Sequence, residues 1–198
     1  MCQYTRNKKG SPLRGYHYGQ KALARNQETK VMLKKRILSI CLVLFWMALI
    51  FSFSAKNAEV STRMSTSVGE MVCRLFVPEY EKWSEKEQYA LAVKIDYPIR
   101  KTAHASEYAV LGGLLFCMYA SYLPKNKKTV LLAVLTGVLY AAGDEFHQLF
   151  VPGRSGQVSD VLLDSAGVFA GAGAVFIILR VWSRKRTLSL QNQTKETE

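Results

Sequence analysis

The chain has 198 residues, a net charge of +12 and a hydrophobic fraction of 49%. This length would suit one globular domain, but the apolar residues form long blocks with the charges between them, as in multipass membrane proteins. The basic residues flank these blocks and show no aromatic-basic pattern, so no nucleic-acid partner is expected. No CxxC motif or Cys/His zinc spacing occurs among the four cysteines, which excludes the usual signatures of a zinc module, and no cofactor is expected.

The N-terminal part of the chain is polar and basic, and then becomes apolar. Residues 1–36 are predicted to form a largely disordered cytoplasmic tail. Residues 37–53 are at the short end of membrane-spanning length. A basic segment followed by an apolar one is also typical of a signal peptide. However, this apolar block is longer than the usual apolar core of a signal peptide, and residues 54–58 make a poor cleavage site. A retained first span is therefore favoured.

The segment 55–103 is the one sizeable polar loop. Apolar residues recur at helical spacing from Val60 to Phe76, which predicts an amphipathic helix. Such a helix lies along the membrane surface or packs on the bundle, and the pattern leaves both readings open. The segment Ser84–Glu87 has the capping-box pattern of a second short helix. Pro98 is placed in the first turn of the next span.

Three further apolar blocks predict spans over residues 105–123, 129–150 and 158–182, followed by a cytoplasmic tail over 183–198. Residues 37–182 thus form one membrane domain. Gly167 and Gly171 form a GxxxG motif, which we expect to pack against a helix of the same chain. The predicted fold class is all-α: a polytopic membrane protein with four transmembrane helices and short amphipathic helices in the loop between spans 1 and 2.

The short basic segments set the predicted topology. The N-terminal tail, the Lys125–Lys128 turn and the basic group after Arg180 all belong on the cytoplasmic side. Four spans satisfy all three, with both termini on the cytoplasmic side of the membrane and the 55–103 loop and the loop after span 3 on the outer side. The lipid bilayer is therefore the expected partner, and the sequence leaves the oligomeric state open.

Acidic residues on different spans fall at similar depths. With a rise of about 1.5 Å per residue from the basic ends, Glu107 lies roughly 25 Å, Asp144 roughly 22 Å and Asp164 roughly 24 Å above the inner boundary. The hydrocarbon layer is about 30 Å thick. We therefore predict that these carboxylates meet near the outer face. Ionisable groups are costly inside a membrane, so their presence indicates either a polar site or a polar packing core.

Two motifs at this level resemble those of a known family. Residues 100–112 (RKTAHASEYAVLG) resemble the second-span motif of the VanZ-like membrane proteins, and Asp144–Gln148 with Gly153–Gly156 and Asp160 resembles their signature between spans 3 and 4. Residues 51–54 (FSFS) fit as well. The resemblance implies an integral bacterial membrane protein, similar to the one associated with low-level resistance to the glycopeptide teicoplanin.

The first functional hypothesis is a site open to the outer leaflet that binds or modifies a cell-envelope component, with a lipid-linked molecule or a glycopeptide as ligand. Arginine is well suited to phosphate, and burial can bring a carboxylate into acid–base use. The catalytic candidates are Glu107, His104 and Asp144, although whether the protein is an enzyme stays open. The predicted ligand-binding residues are Arg100, Lys101, Tyr108, Gln148, Arg154, Asp160 and Asp164.

Two other hypotheses use the same residues. His104 and Glu107, three apart on a helix, resemble in reverse order the Glu-x-x-His spacing of di-iron bundles, and Asp144, Glu145 and His147 add donors for a divalent ion. No HExxH motif occurs, and no metal ligands are assigned. The remaining hypothesis is structural: Glu107, Asp144, Arg154 and Asp164 would form a polar network that only locks the helices together.

Overall fold

The computed structural model describes residues 12–196, except for the side chains of residues 12–24, 190, 192 and 194–196. The described residues form five α-helices, one short 3-10 helix (Tyr80–Lys82) and no strand. Their order is α1 (Pro12–Ser54), α2 (Ala58–Phe76), α3 (Glu85–Ala120), α4 (Lys127–Gln148) and α5 (Val158–Glu196). The chain divides into two units, residues 1–38 and 39–198, and the helical domain described below is the second.

Three helical segments of the described chain are long and apolar enough to cross a membrane: Arg25–Ser54, Lys127–Gln148 and Val158–Ser189. They contain the predicted spans 1 and 4 and residues 129–148 of the predicted span 3. Residues 105–120 of the predicted second span lie in α3, whose apolar part begins with His104, Ser106 and Glu107. These polar residues lower its mean hydropathy and separate it from the other three.

The N-terminal segment differs from the predicted disordered tail. Residues 1–11 lie outside the described residues, but α1 already begins at Pro12 and continues without a break to Ser54. Residues 20–36 contain neither glycine nor proline and are rich in lysine, arginine, glutamine and leucine, which are good helix formers. Helix α5 extends past the predicted span for the same reason, since residues 183–196 also lack glycine and proline.

Helix α3 corrects the predicted position of Pro98. The predicted capping box is present, with the Ser84 side chain bonded to the backbone of Glu87 and the Glu87 side chain to that of Ser84. However, the helix that starts there is not short, and it runs through Pro98 into the apolar part. A proline inside a helix removes one backbone hydrogen bond. The ion pair between Arg100 and Asp96 (3.3 Å) bridges that position and helps the helix to continue.

Helix α2 has the predicted amphipathic pattern, but its buried side is small and polar. Ser65, Thr66, Gly69 and Cys73 face α3, and a Cβ atom added to Gly69 would lie 3.3 Å from the side chain of Ile99. The apolar side is exposed, and Phe76 shows 78% of its surface. In a soluble helical bundle the apolar face of α2 would be buried, but here no other part of the described chain covers it.

Helices α3 and α5 approach each other closely through small residues. A Cβ atom on Gly171 would lie 1.7 Å from the carbonyl oxygen of Ala109, and one on Gly167 would lie 2.4 Å from that of Ala105. The prediction that the GxxxG motif packs within the chain is therefore confirmed. The core continues along the helices with Val43, Ile50, Tyr108, Leu111, Leu115, Phe116, Ala133, Ala141, Val168 and Ala172.

The two ends of this bundle differ in chemistry. At the polar end, the last residue of α1 meets the end of α4, since the Ser54 hydroxyl donates to Asp144 (2.8 Å). At the basic end, the Lys125–Lys127 turn lies beside Arg180 of α5. The predicted ligand-binding and catalytic residues all belong to the polar end or to the segments that lead into it.

Candidate functional site

Two cavities open at the polar end. The larger has a volume of about 220 Å³ and lies between α2, α3 and the loop after α4. The smaller, of about 140 Å³, lies beside the start of α5. Arg100, His104 and Arg154 line both cavities. The larger one combines these polar groups and Glu107 with an apolar wall of Phe53, Met64, Val68 and Ile99.

The loop between α4 and α5 places Arg154 between the two cavities. Gly153 has a φ of 74°, in the left-handed region that glycine adopts without strain. Gly156 passes so close to α4 that a Cβ atom there would lie 2.5 Å from the carbonyl oxygen of Glu145. The backbone N–H of Ala58 donates to the carbonyl of Pro152 (3.3 Å), which ties this loop to the start of α2. The backbone geometry of the loop therefore explains why both positions of the Gly153–Gly156 motif are glycine.

Arg154 is a partly buried cation without a carboxylate partner. Its Nε donates to the carbonyl of Lys56 (3.2 Å) and its Nη1 lies 3.4 Å from Oε1 of Gln148. Among the described residues, no aspartate or glutamate lies within ion-pair distance of it. Burial lowers the pKa of Arg154 and the nearby guanidinium of Arg100 lowers it further, whereas the carboxylates of Asp144 and Glu145 act in the opposite direction. Neither carboxylate contacts the guanidinium, so a bound anion could pair with it directly.

Arg100 reaches the same cavities from α3. Its guanidinium pairs with Asp96 (3.3 Å), one turn earlier on the helix, and Asp96 also accepts a hydrogen bond from Ser65 of α2. Asp96 is only 8% exposed, and the guanidinium of Arg100 also lies 3.5 Å from the hydroxyl of Thr62 on α2 while it lines both cavities. Two arginines, one of them without an ion-pair partner, therefore face one space.

Lys101 and Asp160, both predicted to bind ligand, pair with each other instead. The ammonium of Lys101 on α3 bonds directly to the carboxylate of Asp160 on α5, and each side chain keeps about a fifth of its surface exposed (18% and 20%). Both line the smaller cavity. Their charges cancel locally, so the pair joins the helices and forms a neutral wall.

His104 and Glu107 stand on the wall of the larger cavity. Nδ1 of His104 lies 3.9 Å from Oε2 of Glu107, which is beyond hydrogen-bond distance, and the two side chains keep 19% and 26% of their surface exposed. The indole N–H of Trp46 on α1 donates to the backbone carbonyl of Glu107 (2.9 Å) and fixes this turn of α3. The Glu107 carboxylate itself stays available to the cavity.

Asp144, Asp164 and Tyr108 lie beneath the cavities and line neither of them. Their exposed fractions are 3%, 2% and 0%. Both Glu107 and Asp164 lie within electrostatic range of Asp144, so the structure brings together the three carboxylates that the depth argument grouped. One carboxylate oxygen each of Asp144 and Asp164 and the hydroxyl of Tyr108 have no hydrogen-bond partner among the described atoms.

Gln148 connects this buried layer to the cavities. It lines the smaller cavity, and its amide N–H₂ donates to Glu145 (3.1 Å) and more weakly to Asp144 (3.4 Å). Glu145 also accepts from the backbone N–H of Gln157 at 2.9 Å, which fastens the loop to α4. Glu145 is therefore a loop anchor, a role that the sequence did not suggest.

The metal hypothesis gains no support from this geometry. Within the described residues, no group of three or more His, Cys, Asp or Glu side chains has an arrangement that could hold a metal ion. The ring of His147 packs against Phe51, with ring centroids 4.5 Å apart and the planes tilted by 39°.

Three further residues shape the site without having been singled out for it: Ser54, Lys56 and Asp96. Asp96 carried a readable signal, because an acidic residue four positions before Arg100 on a helix predicts an ion pair. Ser54 was noted only as part of a motif, and its bond to Asp144 joins positions 90 residues apart. Lys56 contributes a backbone carbonyl, which no sequence pattern reveals.

The comparison with known families gives one match. The family model described as VanZ/LLP1 matches residues 39–180, which is most of the chain and includes every residue of the polar end. No curated protein and no solved structure matches the chain.

Proposed function

Because this chain belongs to the VanZ/LLP1 family, we propose that it is a bacterial membrane protein whose polar end binds the anionic head group of an envelope amphiphile. The observation that carries this proposal is Arg154. A half-buried guanidinium without a carboxylate partner faces the same cavities as Arg100. Guanidinium groups bind phosphate and carboxylate through two parallel hydrogen bonds, which makes them the preferred anion-binding groups in proteins.

The shape of the larger cavity supports an amphiphilic ligand. Phe53, Met64, Val68 and Ile99 form one side of it and the two arginines form another. An apolar chain suits the first side and a charged head group suits the second. Helix α2 continues the apolar side outward, since its exposed face carries Met71, Leu75 and Phe76. We propose that this face lies in the outer leaflet and leads lipids to the cavity.

The topology completes this proposal. We place the apolar part of α3 across the membrane as a fourth span beside α1, α4 and α5. An even number of spans puts α1's basic residues, the Lys125–Lys128 turn and the residues after Arg180 on the cytoplasmic side, as the positive-inside rule requires. The polar end and both cavities then face outward, where envelope components are found.

We propose binding rather than turnover at this site. In nucleophilic catalysis, a base activates the nucleophile from hydrogen-bond distance. Among the groups that line the larger cavity, the His104 and Glu107 pair is the nearest to that arrangement, and its atoms are 3.9 Å apart. Both side chains can instead select ligands, because a glutamate at the rim disfavours an anion that is not held by the arginines.

The structural hypothesis has its own support, but for another residue. The Ser54–Asp144 bond joins α1 to α4. We therefore propose that Asp144 holds these helices together beneath the site, whereas Arg100 and Arg154 bind the ligand.

The test measures the binding of ³²P-labelled dodecyl phosphate to the purified full chain in neutral detergent. Arg154→Gln should weaken binding by about tenfold or more, since a hydrogen bond to a charged group contributes about 1.5–3 kcal/mol. The affinity of Arg154→Lys should lie between those of the native chain and Arg154→Gln, because an ammonium keeps the charge but cannot bind two oxygens side by side. The matched control is Arg63→Gln, which removes the same charge from the exposed side of α2.

Equal losses in Arg154→Gln and Arg63→Gln would contradict a specific site, because net charge alone would then explain the binding. Circular dichroism and the membrane level of each variant show whether the fold persists. In cells, teicoplanin susceptibility at equal membrane levels tests the role that the family resemblance implies. Lost protein in place of lost binding would favour a purely structural role for Arg154.

A further inference from the structure

The basic end of the bundle contains a third cavity, separate from the two at the polar end. Its volume is about 340 Å³, at the lower end of the roughly 300–1,000 Å³ usual for ligand pockets. Lys125 and Lys127 of the α3–α4 turn line one side of it, and Arg180 and Ser183 of α5 line the other. None of these residues takes part in the polar end.

The cations around this cavity have no acidic partner in the part of the chain that the structure describes. Among the described residues, no carboxylate lies within ion-pair distance of Lys125, Lys127 or Arg180. The side-chain oxygen of Asn126 already accepts from the backbone N–H groups of Lys128 and Thr129, which fixes the turn. The charged donors for a ligand are the lysine and arginine side chains, beside the amide N–H₂ of Asn126. Three positive charges around one space attract an anion with more than one oxygen.

The floor of the cavity is apolar and fixed. Phe176 packs edge-on against Phe116 of α3, with ring centroids 5.9 Å apart, and Leu179 lies beside it. The guanidinium of Arg180 lies over the Phe176 ring at 5.9 Å from its centroid, which holds the cation above the apolar surface. A ligand that has acyl chains next to a phosphate would contact both surfaces.

We propose that this cavity binds a phosphate group, and that the phosphate belongs to an anionic lipid of the membrane leaflet at the basic end. Basic pockets between membrane helices on the cytoplasmic side are suited to lipid head groups. The phosphate would lie between the turn and α5 and bridge them. The lipid would thereby stabilise the packing of α5 on α3 and α4 at the end where no small-residue contact holds it.

The experiment measures the binding of labelled phosphatidylglycerol to the purified full chain in neutral detergent, with phosphatidylcholine as the zwitterionic probe. A triple variant, Lys125→Gln with Lys127→Gln and Arg180→Gln, removes the cavity's cations. Its matched control removes three basic residues nearby that do not line the cavity: Lys128→Gln with Arg184→Gln and Lys185→Gln. Each cation near an anionic surface contributes roughly fivefold to affinity. The phosphatidylglycerol affinity of the cavity variant should fall by at least about tenfold, and that of the control variant should fall markedly less.

A second pair of variants keeps all the cations. Ser183→Asp places a carboxylate at the cavity, whereas Thr187→Asp places one on the same helix outside it. Both positions are exposed, so folding should be unchanged. Phosphatidylglycerol affinity should fall in Ser183→Asp and stay near the native value in Thr187→Asp.

Glycerol 1-phosphate as a soluble competitor identifies the source of the phosphate. If millimolar glycerol 1-phosphate leaves phosphatidylglycerol bound, the ligand is the lipid as proposed. If it displaces the lipid from the native chain and not from the cavity variant, the cavity is a phosphate site but the lipid assignment is wrong. Equal losses in the cavity and control variants, or in the two aspartate variants, would overturn the proposal. Because these residues are remote from Arg154, either proposal can fail without the other.

Discussion

The two ends of the bundle use cations in different ways. At the polar end, Arg100 and Arg154 are partly buried and each is held by protein groups, through Asp96 and through the carbonyl of Lys56. At the basic end, Lys125, Lys127 and Arg180 are exposed and lack carboxylate partners among the described residues. A cation whose position is fixed can select the geometry of its ligand, whereas a flexible one contributes mainly attraction.

Helix packing explains much of this difference. Near the polar end, α3 and α5 touch backbone to backbone through Gly167, Gly171 and Ala109. Near the basic end, the same two helices meet through the large rings of Phe116 and Phe176. Close packing buries the polar residues around the first contact. Large side chains keep the helix ends apart at the second, and the space left between them becomes a cavity.

The largest predicted effect concerns which end faces outward. In a chain whose cysteines are replaced by alanine, Ser155→Cys reports on the polar end and Lys125→Cys on the basic end. The proposed topology predicts that a membrane-impermeant maleimide labels only Ser155→Cys in intact cells, and labels both after permeabilisation. Both positions are exposed, so burial does not bias the comparison. Labelling of Lys125→Cys in intact cells would reverse the two ends and remove the proposed access to envelope components.

The next effect tests the packing difference directly. Gly171→Ala forces a methyl group to within 1.7 Å of the Ala109 carbonyl oxygen, a backbone atom that cannot move away. We expect a loss of about 3 kcal/mol or more in the free energy of unfolding. Gly113→Ala, toward the basic end, meets the Val175 side chain at 3.2 Å and the Gly171 carbonyl oxygen at an ordinary contact distance of 3.7 Å. It should change stability by about 1 kcal/mol or less, because alanine also favours the helix.

Unfolding of the detergent-solubilised chain by increasing denaturant checks both values. Gly173→Ala serves as the control, since no atom lies within 4 Å of its added methyl group. If Gly171→Ala is as stable as Gly173→Ala, then α3 and α5 do not approach closely at the polar end.

A smaller effect compares buried polar contacts at the two ends. Asp144→Leu leaves the Ser54 hydroxyl, which has 0% exposure, without its acceptor, and should cost about 1–3 kcal/mol. Asp144→Asn keeps an acceptor oxygen and should cost less. At the basic end, Tyr119→Phe removes a bond to Thr136 (2.9 Å), and Thr136 still donates to the Leu132 carbonyl. This change should cost only about 0.6 kcal/mol.

The same unfolding measurement ranks these variants. The order Asp144→Leu, Asp144→Asn, Tyr119→Phe is expected if the polar end depends on satisfied buried groups. An Asp144→Leu variant that is more stable than the native chain would show that Asp144 is retained for function and not for packing.

Much of the helix layout could be read from the sequence. Apolar blocks of membrane length, the amphipathic spacing of α2 and the capping box at Ser84 are local patterns, and each marks a helix that the structure contains. The continuity of α3 was missed because local rules end a helix near Pro98. In the structure, packing on α2 and the Asp96–Arg100 pair, neither of which a local rule includes, support the helix through that position.

For the candidate site, the sequence predicted that the acidic residues of different helices lie at one level, and it placed two glycines around Arg154. The common level follows from the fixed rise of a helix, and the need for glycine in the loop follows from backbone sterics. Tertiary structure alone decided which cations stay without a partner. Lys101 and Asp160 lie 59 positions apart yet pair, whereas Arg154 reaches only neutral acceptors. Whether a charge is neutralised depends on the side chains that neighbouring helices bring to it, and no local pattern in the chain specifies those neighbours.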